Sequence, residues 1–285
     1  MNQLYESIGI SKQAVHQYAQ RQTIFDSRLM QLMEEADDLR KEHPGCGVEK
    51  MYSILRPDFI GRDRFVDTFM QLGYRLKRKK NYRRTTIAGK IYYPNAIKGM
   101  EINAPSVVWQ SDITYYRVGD RFYYAVFIID VYTKKIVGYH VSDNMRGSAN
   151  IKALKMALKD NKAPKIHHSD RGSQYTYQSY TDLLKANTTT ISMALSAQDN
   201  AYAERINRTI KEEYLDHWKP QSLDQLKRQT KKAVSNYNNR RAHDHLQKRN
   251  PSDFERYWST LNPEKRPIIT IFDNTKNRST LIREV

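Results

Sequence analysis

Cysteine is nearly absent: 285 residues contain one, Cys46. A lone cysteine closes no intrachain disulfide and builds no Cys-rich zinc site, so a reduced, buried thiol is expected. Long hydrophobic runs are missing as well. None approaches the roughly 18 apolar residues of a membrane span, which excludes an integral membrane protein. The opening MNQLYESIGISKQ lacks an apolar signal core, and the expectation is a cytoplasmic chain. Internal repeats and low-complexity tracts are absent. Acidic residues are in short supply, 31 against 48 Lys and Arg, leaving a formal charge of +17. An excess of that size points to a polyanion, either nucleic acid or an anionic membrane surface.

The excess is unevenly placed. Residues 51–100 carry a net +9 and residues 201–250 a net +6, while residues 101–150 balance. A near-neutral middle flanked by basic segments suits a chemical module between DNA-gripping parts. At 39% hydrophobic residues the chain is polar, but its length suffices for two domains with real cores.

In residues 3–21, Leu4 and Ile8 share a helical face, Gly9 interrupts it, and Ser11 can cap a second helix with Ala14, Val15 and Tyr18 as its apolar stripe. Two short helices around a glycine turn read as a helix-turn-helix, or as an ordinary helical hairpin. Further helices are predicted over 28–42, 48–55 and 62–72, the last carrying Phe65, Val66, Phe69 and Met70, with Gly73 at its C-cap. Then comes RLKRKKNYRR at 75–84, seven basic residues in ten. Such a run can be a solvated face, but behind a helical unit, and with Tyr82 interleaved, it fits DNA-backbone contact through Lys77, Arg78, Lys79, Lys80, Arg83 and Arg84. Residues 85–104 lack periodic apolar positions and read as a linker.

From Pro105 the pattern turns to strands: VVWQSDITYYRV (107–118), RFYYAVFIIDVY (121–132) and KKIVGYHVS (134–142), with turns at Gly119-Asp120 and Tyr132-Lys134. A helix at 148–160, a strand KIHHSD (165–170), a helix at 177–186, a strand TTTISMAL (188–195) and a long helix from Asp199 to Leu215 follow. Three antiparallel strands and then alternating helix and strand describe an α/β fold, a mixed five-stranded RNase H-like sheet flanked by helices, behind an N-terminal all-α helix-turn-helix region. Another helix is predicted over 223–239, before the basic pair Arg240-Arg241.

Three carboxylates stand out. Asp112 interrupts the first strand, where an aspartate is poorly suited. Asp170 ends the fourth strand, at the edge where α/β sheets expose ligand-facing groups. Glu204 lies on the long helix. Each alone has an ordinary reading as a turn, loop or surface acid. Together they can converge at a sheet edge as hard oxygen ligands suited to Mg²⁺ or Mn²⁺ rather than zinc.

The segments LYESIGISKQAVHQY, HPGCGVEKMYSIL, MQLGYRLKRKK, VVWQSDITYY, IHHSDRGSQY, DNAYAERINRTIKEEY and YNNRRAHDHLQKRNPSDF carry a resemblance across about residues 3–255. The sequence resembles the second-frame transposases of the insertion-sequence-three family, within the retroviral-integrase-like superfamily with an Asp-Asp-Glu site. The resemblance implies that Asp112, Asp170 and Glu204 are catalytic and metal-binding, holding two Mg²⁺ or Mn²⁺ ions, with Asp112 bridging and the other two holding one each. It implies recognition of terminal inverted repeats, 3′-end nicking by water and strand transfer by the freed 3′-OH. It also implies partners: double-stranded DNA as transposon ends and target, a homo-oligomer in a synaptic complex, and an upstream-frame DNA-binding protein or fusion, with no membrane and a nucleoid-associated cytoplasmic location. The domains it suggests are 1–22 (helix-turn-helix), 23–88 (helical, DNA-binding), 89–104 (linker), 105–222 (catalytic core) and 223–285 (helical, basic extension). One departure is visible: 33 residues separate Asp170 from Glu204, two fewer than usual in the family, and the shortening falls in ALSAQ at 194–198.

On the long helix Asn200, Glu204, Asn207, Arg208 and Lys211 recur at i, i+3 or i+4, so they share a polar face that can hold a DNA end, while Ile206 and Ile210 point to the core. His168 is a candidate active-site neighbour or a hydrogen-bonded strand-end histidine. Trp109 reads as core. Two rival functions are a noncatalytic DNA-binding regulator, opposed by the intact acidic set, and a structure-specific nuclease that cuts without joining. Twenty tyrosines invite a tyrosine recombinase, but the strand-rich middle is unlike that class's helical catalytic domain.

Overall fold

A computed structural model describes residues 11–76 and 92–271. The chain divides into two compact units, residues 1–76 and 77–285. The first contains helices α1 (Lys12–Glu42), α2 (Val48–Leu55) and α3 (Arg62–Gln71). Ser11 caps α1 as expected, its hydroxyl accepting from the Ala14 amide at 3.1 Å. The separate short helices predicted within 11–42 are instead one helix, because no glycine or proline interrupts that stretch. Its first turns are largely solvated: of the predicted apolar stripe Tyr18 is 65% exposed, Ala14 is exposed and Val15 is half-buried. Leu4, Ile8 and Gly9, the first half of the predicted helix-turn-helix, lie outside the described residues, as do Lys77, Arg78, Lys79, Lys80, Arg83 and Arg84.

The core of this unit is Leu32 and Ala36 from α1, Val48 and Met51 from α2, and Phe65 and Phe69 from α3, closed by Cys46 and Ile60. The Phe65 and Phe69 rings stack at 4.1 Å, one helical turn apart. Val66 is half-buried and Met70 is 43% exposed, so only part of the predicted apolar face is core. Cys46 is buried, as its isolation suggested.

The second unit is a five-stranded sheet of β2 (Val108–Val118), β3 (Arg121–Asp130), β4 (Ile136–Ser142), β5 (Ile166–Ser169) and β6 (Thr190–Met193), in the order β4-β3-β2-β5-β6. β2, β3 and β4 pair antiparallel, and β5 and β6 join β2 in parallel, the mixed sheet that the order of elements predicted. Period-two alternation sends Trp109, Val126 and Ile128 to one face, where α4 (Gly147–Asp160) and α5 (Gln178–Ala186) cover them. Ala125, Phe127 and Ile129 point to the other face, under α6 (Ala201–Ile210) and α7 (Leu223–Asn239). Past Ile210 the helix widens into a π-turn, Lys211–Leu215, and ends at Trp218.

The β3–β4 connection is organised by Asp130. Its Oδ1 accepts from the amides of Tyr132 and Thr133 and from the Thr133 hydroxyl, and its Oδ2 from the Ser106 amide at 2.6 Å. Residues 92–104, read as linker, include strand β1 (Glu101–Ile102), which pairs with β7 (Ile269–Thr270) near the other end of the described chain. Ile97, Ile102, Val131, Tyr132 and Ile271 form a third cluster with Phe254 of α8 (Pro251–Thr260). Among the described residues no helix is long and apolar enough to cross a membrane.

Candidate active site

Register brings the two aspartates together. Ser111 of β2 is level with Ser169 of the parallel neighbour β5, so the next residues stand at one height, Asp112 within β2 and Asp170 just past the end of β5. Adjacent strands lie about 4.8 Å apart. Glu204 occupies the first turn of α6, which packs over the same face. Each carboxylate feels the others: Asp170 and Glu204 both raise the pKa of Asp112, and Asp170 raises that of Glu204. The Asp112 carboxyl is pushed up to about 8, by burial first and Asp170 second, against hydrogen bonds from the Ile113 amide and Asn207. Burial also raises Glu204, partly offset by Arg208.

Asp170 is held by its own turn. The Gly172 amide donates to its Oδ1 at 3.0 Å. A Cβ at residue 172 would sit 3.0 Å from that oxygen and 2.8 Å from the Gln174 side-chain oxygen, so a larger residue there would crowd both side chains. Below the aspartates lies Tyr175, fully buried, its hydroxyl 3.0 Å from Ser111 Oγ.

Three side chains fasten α6 to β2. Gln110, fully buried, accepts through Oε1 from the amides of Tyr202 and Ala203 at 3.2 and 3.3 Å, and its Nε2 donates to the Asp199 carbonyl. The amides at a helix N-terminus otherwise lack partners, so this one side chain both caps the helix and fixes its height on the sheet. Asn200 donates to the Ser111 carbonyl at 3.1 Å. Asn207 donates to Asp112 Oδ2 at 2.8 Å. The two asparagines depart from the DNA-facing role read from the sequence: Asn200 is 2% and Asn207 6% exposed, and both turn inward to the sheet. Their place on the helix wheel was right, but that side of the helix rests on the strand carrying Asp112.

The remaining polar positions divide. Arg208 is exposed and close enough to Glu204 to lower its pKa. Lys211 is half-buried, its ammonium 4.9 Å from the Tyr115 ring centre. Ile206 and Ile210 are core, as expected. His168 lies level with Gln110, one pleat from Asp170. It is fully buried, its Nδ1 is 2.8 Å from Ser192 Oγ, and burial lowers its pKa to about 4, so it is a neutral, hydrogen-bonded strand histidine at neutral pH. Trp109 is core.

The shortened loop before the helix is closed by Asp199, whose Oδ2 accepts from the amides of Leu195 and Ser196 at 2.9 and 3.0 Å in a capping box. Upstream, the Ala194 amide donates to the Ser169 carbonyl at 2.8 Å. Downstream, the π-turn presents Glu213 to Arg241, which grips it through two bonds of 2.6 and 2.7 Å. Arg241, read from the sequence only as part of a basic loop, thus ties the loop after α7 to the end of the Glu204 helix.

Among the described residues, no three His, Cys, Asp or Glu side chains already stand close enough to hold one ion. The donor set nevertheless fits a hard divalent cation: three carboxylates, two of them with pKa values raised by burial and mutual repulsion, and the nearby histidine engaged with Ser192.

Comparison with known proteins gives a consistent assignment. An integrase core domain family matches residues 102–197, and a second integrase core domain family matches residues 188–251. The insertion element IS600 uncharacterized 31 kDa protein of Shigella sonnei is 33% identical over 207 residues, 70% of this chain and 76% of that protein. The transposase for insertion sequence element IS629, also of Shigella sonnei, is 34% identical over 161 residues, 55% of this chain and 54% of that protein. The chain thus spans about three quarters of one relative and about half of the other. In fold it is similar to a chain of the simian T-cell lymphotropic virus intasome in complex with PP2A regulatory subunit B56 gamma, with a TM-score of 0.50, 16% identity and 64% of each chain covered.

Proposed function

The chain belongs to the integrase-core transposases of bacterial insertion sequences, and from that premise we propose that it binds the terminal inverted repeats of its element, nicks their 3′ ends and joins them to target DNA. The observation that supports this reading is the grouping of Asp112 and Asp170, on the adjacent central strands β2 and β5, with Glu204 of α6 over the same face.

The three side chains would hold Mg²⁺ or Mn²⁺, two ions in the scheme the family resemblance implies. The bound cations supply positive charge to the attacking and leaving oxygens of an in-line phosphoryl transfer. The protein's share of the chemistry is positional. Asp112 would serve as a ligand in its ionised form, and Asn207 fixes which way its Oδ2 points. Gln110 and Asn200 hold α6 at its height on β2, so that Glu204 is presented to the two aspartates. Glu204, the exposed member, has room to swing toward them. Arg208, beside Glu204 and facing solvent, would meet a phosphate flanking the scissile one, with Lys211 one turn further along. His168 serves as a support for β5 and β6 rather than a proton carrier, since its ring is buried against Ser192.

The same reading assigns DNA-backbone contact to Lys77, Arg78, Lys79, Lys80, Arg83 and Arg84, DNA binding to residues 23–88, catalysis to 105–222 and a supporting role to 223–285. Its partners are duplex DNA, further copies of the chain in a synaptic complex and an upstream-frame DNA-binding protein or fusion. It acts in the cytoplasm, at the nucleoid. The test is a cleavage and joining assay on duplexes bearing the element's ends, with Mg²⁺, Mn²⁺ or EDTA. Metal-dependent nicking followed by joined product supports a transposase. Nicking without joining marks a nuclease, and binding without either marks a regulator.

A further inference from the structure

The edge strand β4 ends in a cleft of about 230 Å³ whose lining includes none of the carboxylate-site residues. Its floor is His140–Asn144, one wall is the first turns of α4, and the other is the start of α7. Both walls are fixed. A Cβ at Gly138 would come within 2.3 Å of the Ala153 carbonyl oxygen, so α4 lies directly on β4. At the strand's other end the Asn238 amide of α7 pairs with both backbone groups of Ile136, each at 2.9 Å.

Three basic side chains converge here from three elements: His140 from β4, Lys152 from α4 and Lys227 from α7. Burial first, then Lys152 and Lys227, lower the pKa of His140, so both ammonium groups act on the imidazole. None of the three has an ion-pair partner among the described residues. Asp143 is the one acid in the lining; its Oδ1 accepts from the Asn144 side-chain Nδ2 at 2.7 Å, and it is not among the groups acting on His140. The first turn of α4, which supplies Ser148 to the lining, contains no acidic residue and no side-chain cap, so its amides add positive potential.

We propose that this cleft seats a phosphate of duplex DNA, held between Lys152 and Lys227 over His140, as a contact point separate from the carboxylate site. The inference rests on the reading of the chain as a DNA transposase. Register places the cleft at the outer strand of the sheet: His140 is level with Val126, and Val126 with Ile113, the neighbour of Asp112, so the His140 and Asp112 side chains leave opposite faces of the sheet. Two strand spacings put it roughly 10 Å across the sheet from Ile113, a contact point apart from the carboxylates.

The test uses the full chain and a duplex bearing the element's ends. In the wild type, NMR titration of His140 should show its midpoint rising when duplex is added, because a phosphate offsets the two lysines, and staying in place with inorganic phosphate at equal concentration. The double substitution Lys152→Gln with Lys227→Gln should lower the log–log salt slope of duplex binding by about 0.9 for the lost phosphate. A wild type that binds and nicks DNA while His140 does not move, or a shift with inorganic phosphate alone, overturns the cleft assignment and leaves the transposase reading intact. A wild type that neither binds nor nicks overturns both. The His140 measurement needs no variant, so it decides even if the double substitution fails to fold.

Discussion

Replacing Asp112 by asparagine should stabilise the metal-free protein while destroying its chemistry. Burial and the facing Asp170 raise the Asp112 carboxyl from 3.8 to about 8. A group whose pKa is higher folded than unfolded favours the protonated fold, so its contribution is complete below the unfolded value and is lost as pH climbs to the folded one. The cost therefore builds between about pH 4 and pH 8. At 1.36 kcal/mol per unit, the full shift corresponds to an upper bound of about 6 kcal/mol, which relaxation and water access reduce to about 2–3 kcal/mol. The substituted amide carries no charge and its oxygen can still accept from Asn207, so that cost disappears. For a unit of this size the gain is roughly 5–10 °C in Tm at pH 8. The assay is calorimetric melting of both proteins in EDTA from pH 4 to 9. The wild type should fall progressively below Asp112→Asn as pH rises, with the two converging near pH 4. Adding Mg²⁺ at pH 8 should raise the wild type and leave the variant in place, because only the wild type keeps the ligand set. A variant equal to or less stable than the wild type at pH 8 in EDTA would refute the claim that Asp112 is a destabilising, cation-seeking carboxylate.

Three further outcomes follow from individual contacts. Gln110→Ala leaves the Tyr202 and Ala203 amides without their partner and should cost about 1–3 kcal/mol in urea unfolding, with a larger drop in joining than in DNA binding because Glu204 loses its anchor. Arg208→Ala, at an exposed position, should reduce joining yield with little change in Tm, whereas Ile210→Ala in the core should cost about 2–5 kcal/mol and spare joining at a permissive temperature; melting curves and yields on both proteins check the contrast. Neutralising Lys77, Arg78, Lys79 and Lys80 should flatten the salt dependence of duplex binding by about 0.9 in log–log slope per lost phosphate contact.

The sheet was legible because its strands obey period two and are rich in β-branched and aromatic residues, and because the order of strands and helices leaves few topologies. The placement of Asp112 and Asp170 on neighbouring strands, with Glu204 on the helix over them, follows from the order of strands and helices. What escaped the sequence was mostly the reach of side chains between elements. Asn200 and Asn207 were correctly put on the same side of the helix as Glu204, but nothing local tells that this side rests on β2 rather than on DNA. Gln110 carries a signal in the sequence: it alternates with Val108 and Asp112 on one face of a strand whose first half is buried, and a buried glutamine there needs partners of its own. Asp130 organises its turn through backbone amides several residues away, which apolar periodicity does not register. α1 runs unbroken past its internal capping signals because no helix breaker occurs across its 31 residues.

The most direct measurement of the central claim is joining of element-end duplexes by Asp112→Asn, Asp170→Asn and Glu204→Gln, each beside the wild type, with end binding measured on the same preparations. The account predicts that all three lose cleavage and joining in Mg²⁺ and Mn²⁺ while binding the ends nearly as the wild type does. Near-normal joining by any one of them would show that the carboxylates grouped over β2 and β5 are not the catalytic set.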